Sequence, residues 1–252
     1  MKIIARSLSF GYTEKNLFDN FNAELDGVEG GRPLVILGPS GCGKTTLLKL
    51  LGGLLKPATG EIIFYGDENP AEEKQSFNAS FIFQEPRLLP RLTVLRNISL
   101  PLEKHFGREE ARSRALHFLS LVSLAEKEGA YPDELSGGQA QRVSIARAFA
   151  WPAPALFMDE PFQSLDIPLR LRLMDLCLSL HERENFSKKN RSLVAVTHDP
   201  REAVYMGGRI VILGGEGGGI VFDRIVNLTP EERAYGAAAA GELERELIPH
   251  LH

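Results

Sequence analysis

Short apolar runs closed by turn residues punctuate this chain: "PLVIL" (33–37), "ALFM" (155–158) and "LVAVT" (193–197). Runs of that length without polar alternation suit strands buried on both faces, as in a parallel sheet, and the stretches between them are long enough for crossovers. The first run passes into "GPSGCGKTT" and then "KTTLLKLLGGLL". It therefore reads as strand, glycine loop, helix, the βα unit of a phosphate-binding α/β domain. Ahead of it "KIIARSLSF" and "NLFDNFNAEL", and behind it "GEIIFYGDE", predict a small antiparallel sheet beside the parallel core.

From about Glu85 to Pro154 the period becomes helical. "REEARSRALHFLSLVSLAEK" carries Ala115, Leu119 and Val122 at helical spacing, and "SGGQAQRVSIARAFA" repeats the pattern with Val143, Ala146 and Phe149. The reading is a helical subdomain, 85–154, inserted into a core formed by 1–84 and 155–225. "PLRLRLMDLCLSL" (168–180) alternates like a strand but also puts Leu169, Leu173, Leu176 and Leu180 on one helical face. A crossover is required between the strands at 155 and 193, which selects the helix. "RIVILGGEGGGIVFD" (209–223) predicts a hairpin with a glycine turn, and 226–252 a helical tail on the surface.

Chemistry enters with the glycine loop. Gly38, Pro39, Ser40, Gly41, Cys42, Gly43, Lys44 and Thr45, followed by Thr46, match G-x-x-x-x-G-K-[ST]. That spacing lets backbone N–H groups wrap a β-phosphate at a helix N-terminus, where the dipole also favours an anion. Lys44 would reach the β- and γ-phosphates and the Thr45 hydroxyl would ligate Mg²⁺. "ALFMDEP" ends a strand in two carboxylates: Asp159 is suited to Mg²⁺ and Glu160 to orienting or deprotonating an attacking water. Read alone, the pair is a polar strand exit; behind a phosphate loop it is a hydrolytic pair. His198 follows another apolar run, and a lone histidine is commonly a surface group. Its strand should nevertheless end at the sheet edge that carries the phosphate loop.

A second glycine pair, Gly137 and Gly138 in "LSGGQ", stands between Ser136 and Gln139 at a helix start. It reads either as a serine N-cap with flexible glycines or as a second anion cradle. One ATP has one γ-phosphate, already held by Lys44. A second cradle makes sense if it closes over the phosphate from another molecule.

"GPSGCGKTT", Gln84 in "FIFQEP", "LSGGQ", "LFMDEP", "SLD" and His198 follow one another in the order and approximate spacing of ABC-transporter nucleotide-binding domains. The chain resembles that family over about residues 2–225. The resemblance implies an α/β fold, a P-loop NTPase core with a small antiparallel β-subdomain and an inserted α-helical subdomain. It also implies ATP hydrolysis with Mg²⁺. Tyr12 is similar to the aromatic that stacks on adenine, with Phe10 a nearby competitor and a core role also open. Gln84 resembles the glutamine that contacts Mg²⁺ and water while linking the core to the helical subdomain. Ser136 and Gly138 resemble residues that contact the γ-phosphate bound to the opposite subunit, and Asp166 the aspartate that crosses the interface. Two copies, head-to-tail about a twofold axis, would then complete two sites.

"QEPRLLPRLTVLRNISLPL" resembles the segment, near 84–100, with which importer ATPases dock a transmembrane permease, most closely in the nitrate, sulfonate and taurine group. Arg87, Arg91 and Arg96 there suit a permease, anionic lipid or simply a solvated basic face. An extracytoplasmic solute-binding protein is the indirect partner this implies, with the chain on the inner face of the cell membrane. Three stretches depart from that group: Gln163 and Ser164 replace small residues, "GVEGGRP" is extended, and "ENPAEEKQSFNAS" is more acidic.

Composition narrows the alternatives. A net charge of −4 gives no reason to expect nucleic acid. Cys42 and Cys177 are read as reduced thiols of a cytoplasmic protein, the start "MKIIARSLSF" lacks a secretion signal, and no apolar stretch is long enough to span a membrane. A soluble ABC ATPase acting on DNA, ribosomes or cluster assembly would carry coiled-coil insertions, cysteine clusters or tandem halves, none of which is present. An exporter or lipid-extraction ATPase can share the docking segment. A kinase or switch GTPase leaves "LSGGQ" and His198 unexplained.

Overall fold

A computed structural model describes residues 2–13, 16–26, 32–65, 73–74, 78–163, 165–186, 191–215 and 218–251. Ser164, most of the extension at 27–33 and most of the acidic stretch before Gln84 lie outside the described residues, as does the middle of the glycine turn at 216–217.

In chain order the strands are β1 (Lys2–Phe10), β2 (Phe18–Asp26), β3 (Leu34–Leu37), β4 (Thr59–Tyr65), β5 (Glu73–Lys74), β6 (Ala79–Phe83), β7 (Ala155–Asp159), β8 (Ser192–Val196), β9 (Arg209–Gly214) and β10 (Gly219–Ile225). The helices are α1 (Lys44–Leu51), α2 (Val94–Phe106), α3 (Arg108–Leu121), α4 (Gly137–Ala150), α5 (Ile167–Phe186), α6 (Pro200–Met206) and α7 (Ala238–Leu247).

The six-stranded sheet has the order β10-β9-β3-β8-β7-β6, and the four-stranded sheet β2-β1-β4-β5. In the larger sheet β3, β6, β7, β8 and β9 run parallel and β10 closes one edge antiparallel. The three apolar runs are its inner strands, and alternate residues serve two cores. Val35, Leu37, Leu156, Met158, Leu193 and Ala195 face the helices from the 94–186 region. Leu34, Ile36, Ala155, Phe157, Val194 and Val196 face α1 and, beyond it, Ile3, Leu8, Phe18 and Leu25 of the antiparallel sheet. Burial on both faces is why these strands read as unbroken apolar runs.

Helix α5 covers 168–180, and the hairpin forms as β9 and β10. Strand β6 is an addition to the sequence reading. "ASFIF" pairs in parallel with β7 and brings Gln84 to the same sheet edge as Asp159. The tail departs from a continuous helix. Helix begins only at Ala238, and the preceding stretch is irregular. Buried Arg233 donates there to the carbonyls of Leu228, Val204, Gly207 and Val226, a use of backbone acceptors that helical geometry would not offer it.

Helix α4 is anchored at its carboxyl end. Ser80 donates to Ala148 O at 2.7 Å and Arg114 to Ala150 O at 2.6 Å, while Arg191 reaches Ala153 O, Phe149 O and Trp151 O. Carbonyls at a helix end lack intrahelical donors, and these side chains supply them. No helix among the described residues is long and apolar enough to cross a membrane.

Candidate functional site

Parallel register decides where the chemistry collects. Phe83 pairs with Asp159, Asp159 with Val196, and Val196 with Ile36. The next residues along those strands are therefore Gln84, Glu160, Thr197 and Leu37, followed by His198 and Gly38. Side chains distant in sequence emerge in one row at the carboxyl edge of the sheet, where open α/β sheets bind ligands.

The loop from Gly38 to Gly43 turns into α1 through left-handed glycines. Gly43, the N-cap, has φ 103°, and a Cβ there would come 2.8 Å from Phe18 Cζ. No side-chain cap bonds the first turn of α1, so its leading N–H groups lack that partner. At Gly41, φ 83°, a Cβ would meet nothing within 4 Å, which leaves the mouth of the loop open. Lys44 is 4% exposed, and its Nζ donates to Gly38 O at 2.8 Å and Pro39 O at 2.9 Å. Ser40 and Cys42 line, with Pro39, Gly41 and His250, a cleft of about 510 Å³ on the outer side of the loop. Burial pushes the Cys42 thiol above its ordinary value, and Lys44 pulls the other way.

The Thr45 hydroxyl donates to Asp159 Oδ1 at 2.6 Å. A hydroxyl and a single carboxylate are hard oxygen donors of the kind Mg²⁺ accepts alongside substrate phosphates. Among the described residues no group of three or more His, Cys, Asp or Glu could hold a metal by itself. The set therefore fits an ion shared with a nucleotide rather than a resident, all-protein site.

Glu160 lies between a cation and an imidazole. Its Oε1 is 3.8 Å from Lys44 Nζ and its Oε2 is 3.0 Å from His198 Nδ1. Its backbone has φ 45°, a left-handed conformation that non-glycine residues rarely adopt, and its N–H is fixed on Val196 O at 3.0 Å. Backbone strain of this kind gathers at functional sites.

Tyr12 is 65% exposed, so it is not a core residue. It stands edge-on to half-buried Phe10, ring centroids 5.1 Å apart, with its hydroxyl 3.2 Å from Thr46 Oγ1. That is the open side of α1's first turn.

The second glycine pair is built differently. Ser136 caps α4: its Oγ accepts from Gln139 N at 3.3 Å, and Gln139 Oε1 accepts from Ser136 N at 2.9 Å, a reciprocal capping box. Gly138 abuts α5, where a Cβ would lie 2.8 Å from Leu169 Cδ2. Asp166 is exposed, and its Oδ1 accepts from Leu169 N at 2.9 Å. Ser136 to Gln139 and Asp166 form no hydrogen bond with Lys44, Glu160 or His198 among those described.

Three residues of this site carried no sequence signal. Gln141 donates to Phe83 O and Pro161 O, so α4 is tied to the strand exits beside Gln84 and Glu160. Arg147, also on α4, donates to Pro86 O and Arg87 O, and the Arg87 guanidinium sits 4.0 Å from the centre of the Phe83 ring. Arg170 of α5 joins the loop around Leu165 to Asp199. All act on carbonyls or carboxylates that only the fold brings near, so no spacing rule announces them.

Known proteins agree with this geometry. The ABC transporter family model matches residues 23–163. An aliphatic sulfonates import ATP-binding protein of Xanthomonas axonopodis pv. citri is 38% identical over 225 residues, covering 88% of this chain and 86% of that one. A sulfate/thiosulfate import ATP-binding protein of Mesorhizobium japonicum is 40% identical over 205 residues, 78% of this chain and 58% of that longer one. Among solved structures, a dimeric ATP-binding cassette in a post-hydrolysis state, bound to ADP and Pi, superposes with a TM-score of 0.72. It is 31% identical, and the match covers 90% of this chain and 100% of that one. By sequence, fold and the strand-edge constellation together, the chain belongs to the ABC transporter family, as one of its ATP-binding, ATP-hydrolysing subunits.

Proposed function

We propose that this subunit powers solute import by a separate membrane permease, working as a head-to-tail pair on the inner face of the cell membrane. The observation that carries the reading is the convergence of Lys44, Thr45, Asp159, Glu160 and His198 on one sheet edge, while Ser136–Gln139 and Asp166 form no hydrogen bond with Lys44, Glu160 or His198 among those described.

In this reading the N–H groups of Gly38 to Thr46 cradle the phosphates of ATP, with Pro39, Ser40 and Cys42 shaping the loop and Tyr12 stacking on adenine. Lys44 leaves its two loop carbonyls for phosphate oxygens. Thr45 and Asp159, helped by Gln84, would hold Mg²⁺, which would offset phosphate charge. Glu160 takes a proton from the attacking water, and His198 orients that water and the γ-phosphate from the other side. Ser136, Gly137, Gly138 and Gln139 meet the phosphate bound to the second copy, and Asp166 crosses the interface. The segment 84–100 docks the permease, and the names of the relatives support a sulfonate or sulfate as the solute to test first.

The test is Glu160→Gln. Phosphate release should fall by ~10²–10⁴-fold, the usual contribution of a general base, while Mg-ATP holds the variant as a dimer. A pull-down from cell membranes with that variant and Mg-ATP should bring a polytopic permease. Unchanged turnover would overturn the base assignment, and co-purifying ribosomes or DNA in place of a permease would overturn the transport role.

A further inference from the structure

His198 has little packing of its own. Its ring is 41% exposed, and its Nδ1 meets Glu160 Oε2 at 3.0 Å. What fixes it is the backbone on either side, and both neighbours lead to one cation. On one side, Thr197 donates its hydroxyl to Glu202 Oε2 at 2.6 Å and accepts from Asp199 N at 3.1 Å. On the other, Asp199 Oδ1 caps α6 through Arg201 N, and its Oδ2 accepts from Arg170 Nη1 at 2.9 Å. Glu202 is only 4% exposed and also faces Arg170 Nη1, at 3.3 Å through Oε1.

Arg170 has a third attachment, which gives the cluster its consequence. Its Nη2 donates to Leu165 O at 3.3 Å, the carbonyl next to Asp166, and its own N–H bonds Asp166 O at 2.9 Å. One guanidinium therefore spans two carboxylates on the His198 turn and the main chain of the Asp166 loop. The planar fork holds donors on two separate nitrogens in fixed geometry, which the point charge of a lysine ammonium on its flexible stem does not reproduce. Burial pushes the Glu202 carboxyl up, with the Thr197 hydroxyl and Arg170 opposing it. An unpaired buried charge here would be costly, which makes the arrangement close to all-or-none.

We infer that Arg170 is a positioning residue for hydrolysis: it locks the turn that aims His198 at Glu160, and it ties that turn to the loop carrying Asp166. Through this link, a shift of the Asp166 loop is passed to the imidazole without any contact between Arg170 and nucleotide. The inference rests on the role proposed above for His198, and the experiment separates the two.

The measurement is a four-member cycle of kcat and KM for Mg-ATP: the natural protein, Arg170→Lys, His198→Ala and the double variant, with unfolding midpoints recorded for each. Lysine keeps the charge but loses the rigid two-nitrogen fork. Misplacement of about 1 Å at a reacting group can cost ~10²-fold, so a partial loss of aim should lower kcat about tenfold in Arg170→Lys while KM stays within about twofold. In the His198→Ala background the same change should cost less than about twofold, because its effect runs through the missing ring. Equal losses in both backgrounds, a rise in KM at constant kcat, or no change would overturn the inference. Natural turnover in His198→Ala would instead overturn the histidine assignment and, with it, this premise. Should lysine unfold the chain, Arg170→Met combined with Glu202→Gln removes cation and buried anion together, and the same cycle applies.

Discussion

Two helices in this molecule begin at glycines, and they are finished in opposite ways. Helix α1 has a left-handed glycine as N-cap, no side chain bonded to its first turn, and a buried lysine folded back on the loop's own carbonyls. Helix α4 is closed by its own Ser136 and Gln139, and its first turn faces outward. Orphan N–H groups at a helix start have to be satisfied by something. At α1 no side chain supplies the acceptor, which suits a bound phosphate; at α4 Ser136 and Gln139 supply it within the chain. A complete site within one chain would not need the second helix to be self-sufficient. The difference is what the proposed shared site requires: one cradle left open for its own nucleotide, and one closed on itself until a second copy arrives.

Breaking the first cradle should have the largest effect. Lys44→Ala is expected to lower phosphate release by ~10²–10³-fold or more, as for loss of a preorganised donor on developing charge, and to weaken ATP binding by the isolated chain. Gly138→Asp attacks the second cradle, where a new Cβ would press on Leu169 and a carboxylate would repel phosphate. It should spare ATP binding by the single chain yet cut hydrolysis ~10²-fold. Mixing these two inactive proteins sharpens the contrast further. Head-to-tail pairs would unite an intact Lys44 with an intact Gly138, so hydrolysis should return; if no activity appears on mixing, the shared-site reading fails.

A smaller effect is expected at Cys42. Its thiol is raised by burial, so the neutral form dominates near neutral pH and thiolate grows in only above the ordinary thiol range. Each unit of elevation removes about tenfold of the reactive form. Iodoacetamide labelling followed by mass spectrometry should therefore be slow at pH 7, climb beyond pH 9, and be slowed again by Mg-ATP. For folding stability, as distinct from the hydrolysis its proposed phosphate contact would also affect, the smallest change is expected of Ser136→Ala. Losing one side of the capping box should cost about 1 kcal/mol and lower the unfolding midpoint by about 2–4 °C.

The α/β frame and the row of strand ends were legible because both depend on local features. A run such as "LVAV" is apolar throughout when both faces are covered, and the glycine spacing of Gly38 to Gly43 reflects a backbone path that few other residues allow. Strand β6 was not legible. Its burial alternates and an acidic stretch precedes it, so partner β7 gives it definition. The tail misled for a related reason. "PEERAYGAAAAGELEREL" is rich in helix formers, yet Arg233 is drawn into a pocket of four carbonyls and the helix starts late. Gln141, Arg147 and Arg170 were invisible because their partners lie 20 or more positions away, apart from the Leu165 carbonyl beside Arg170.

The left-handed backbone at Glu160 has a bearing on how this chain tolerates improvement. With φ 45° the glutamate occupies a conformation that costs an L-residue roughly 1–2 kcal/mol, one that asparagine or glycine accepts more readily. A campaign to make the protein withstand heat, ranking positions by conformational ease alone, would flag position 160 among its early choices and so discard the group assigned to the attacking water. Robustness and turnover compete here for a single residue, and any hardened form of the motor needs its gains from elsewhere in the molecule.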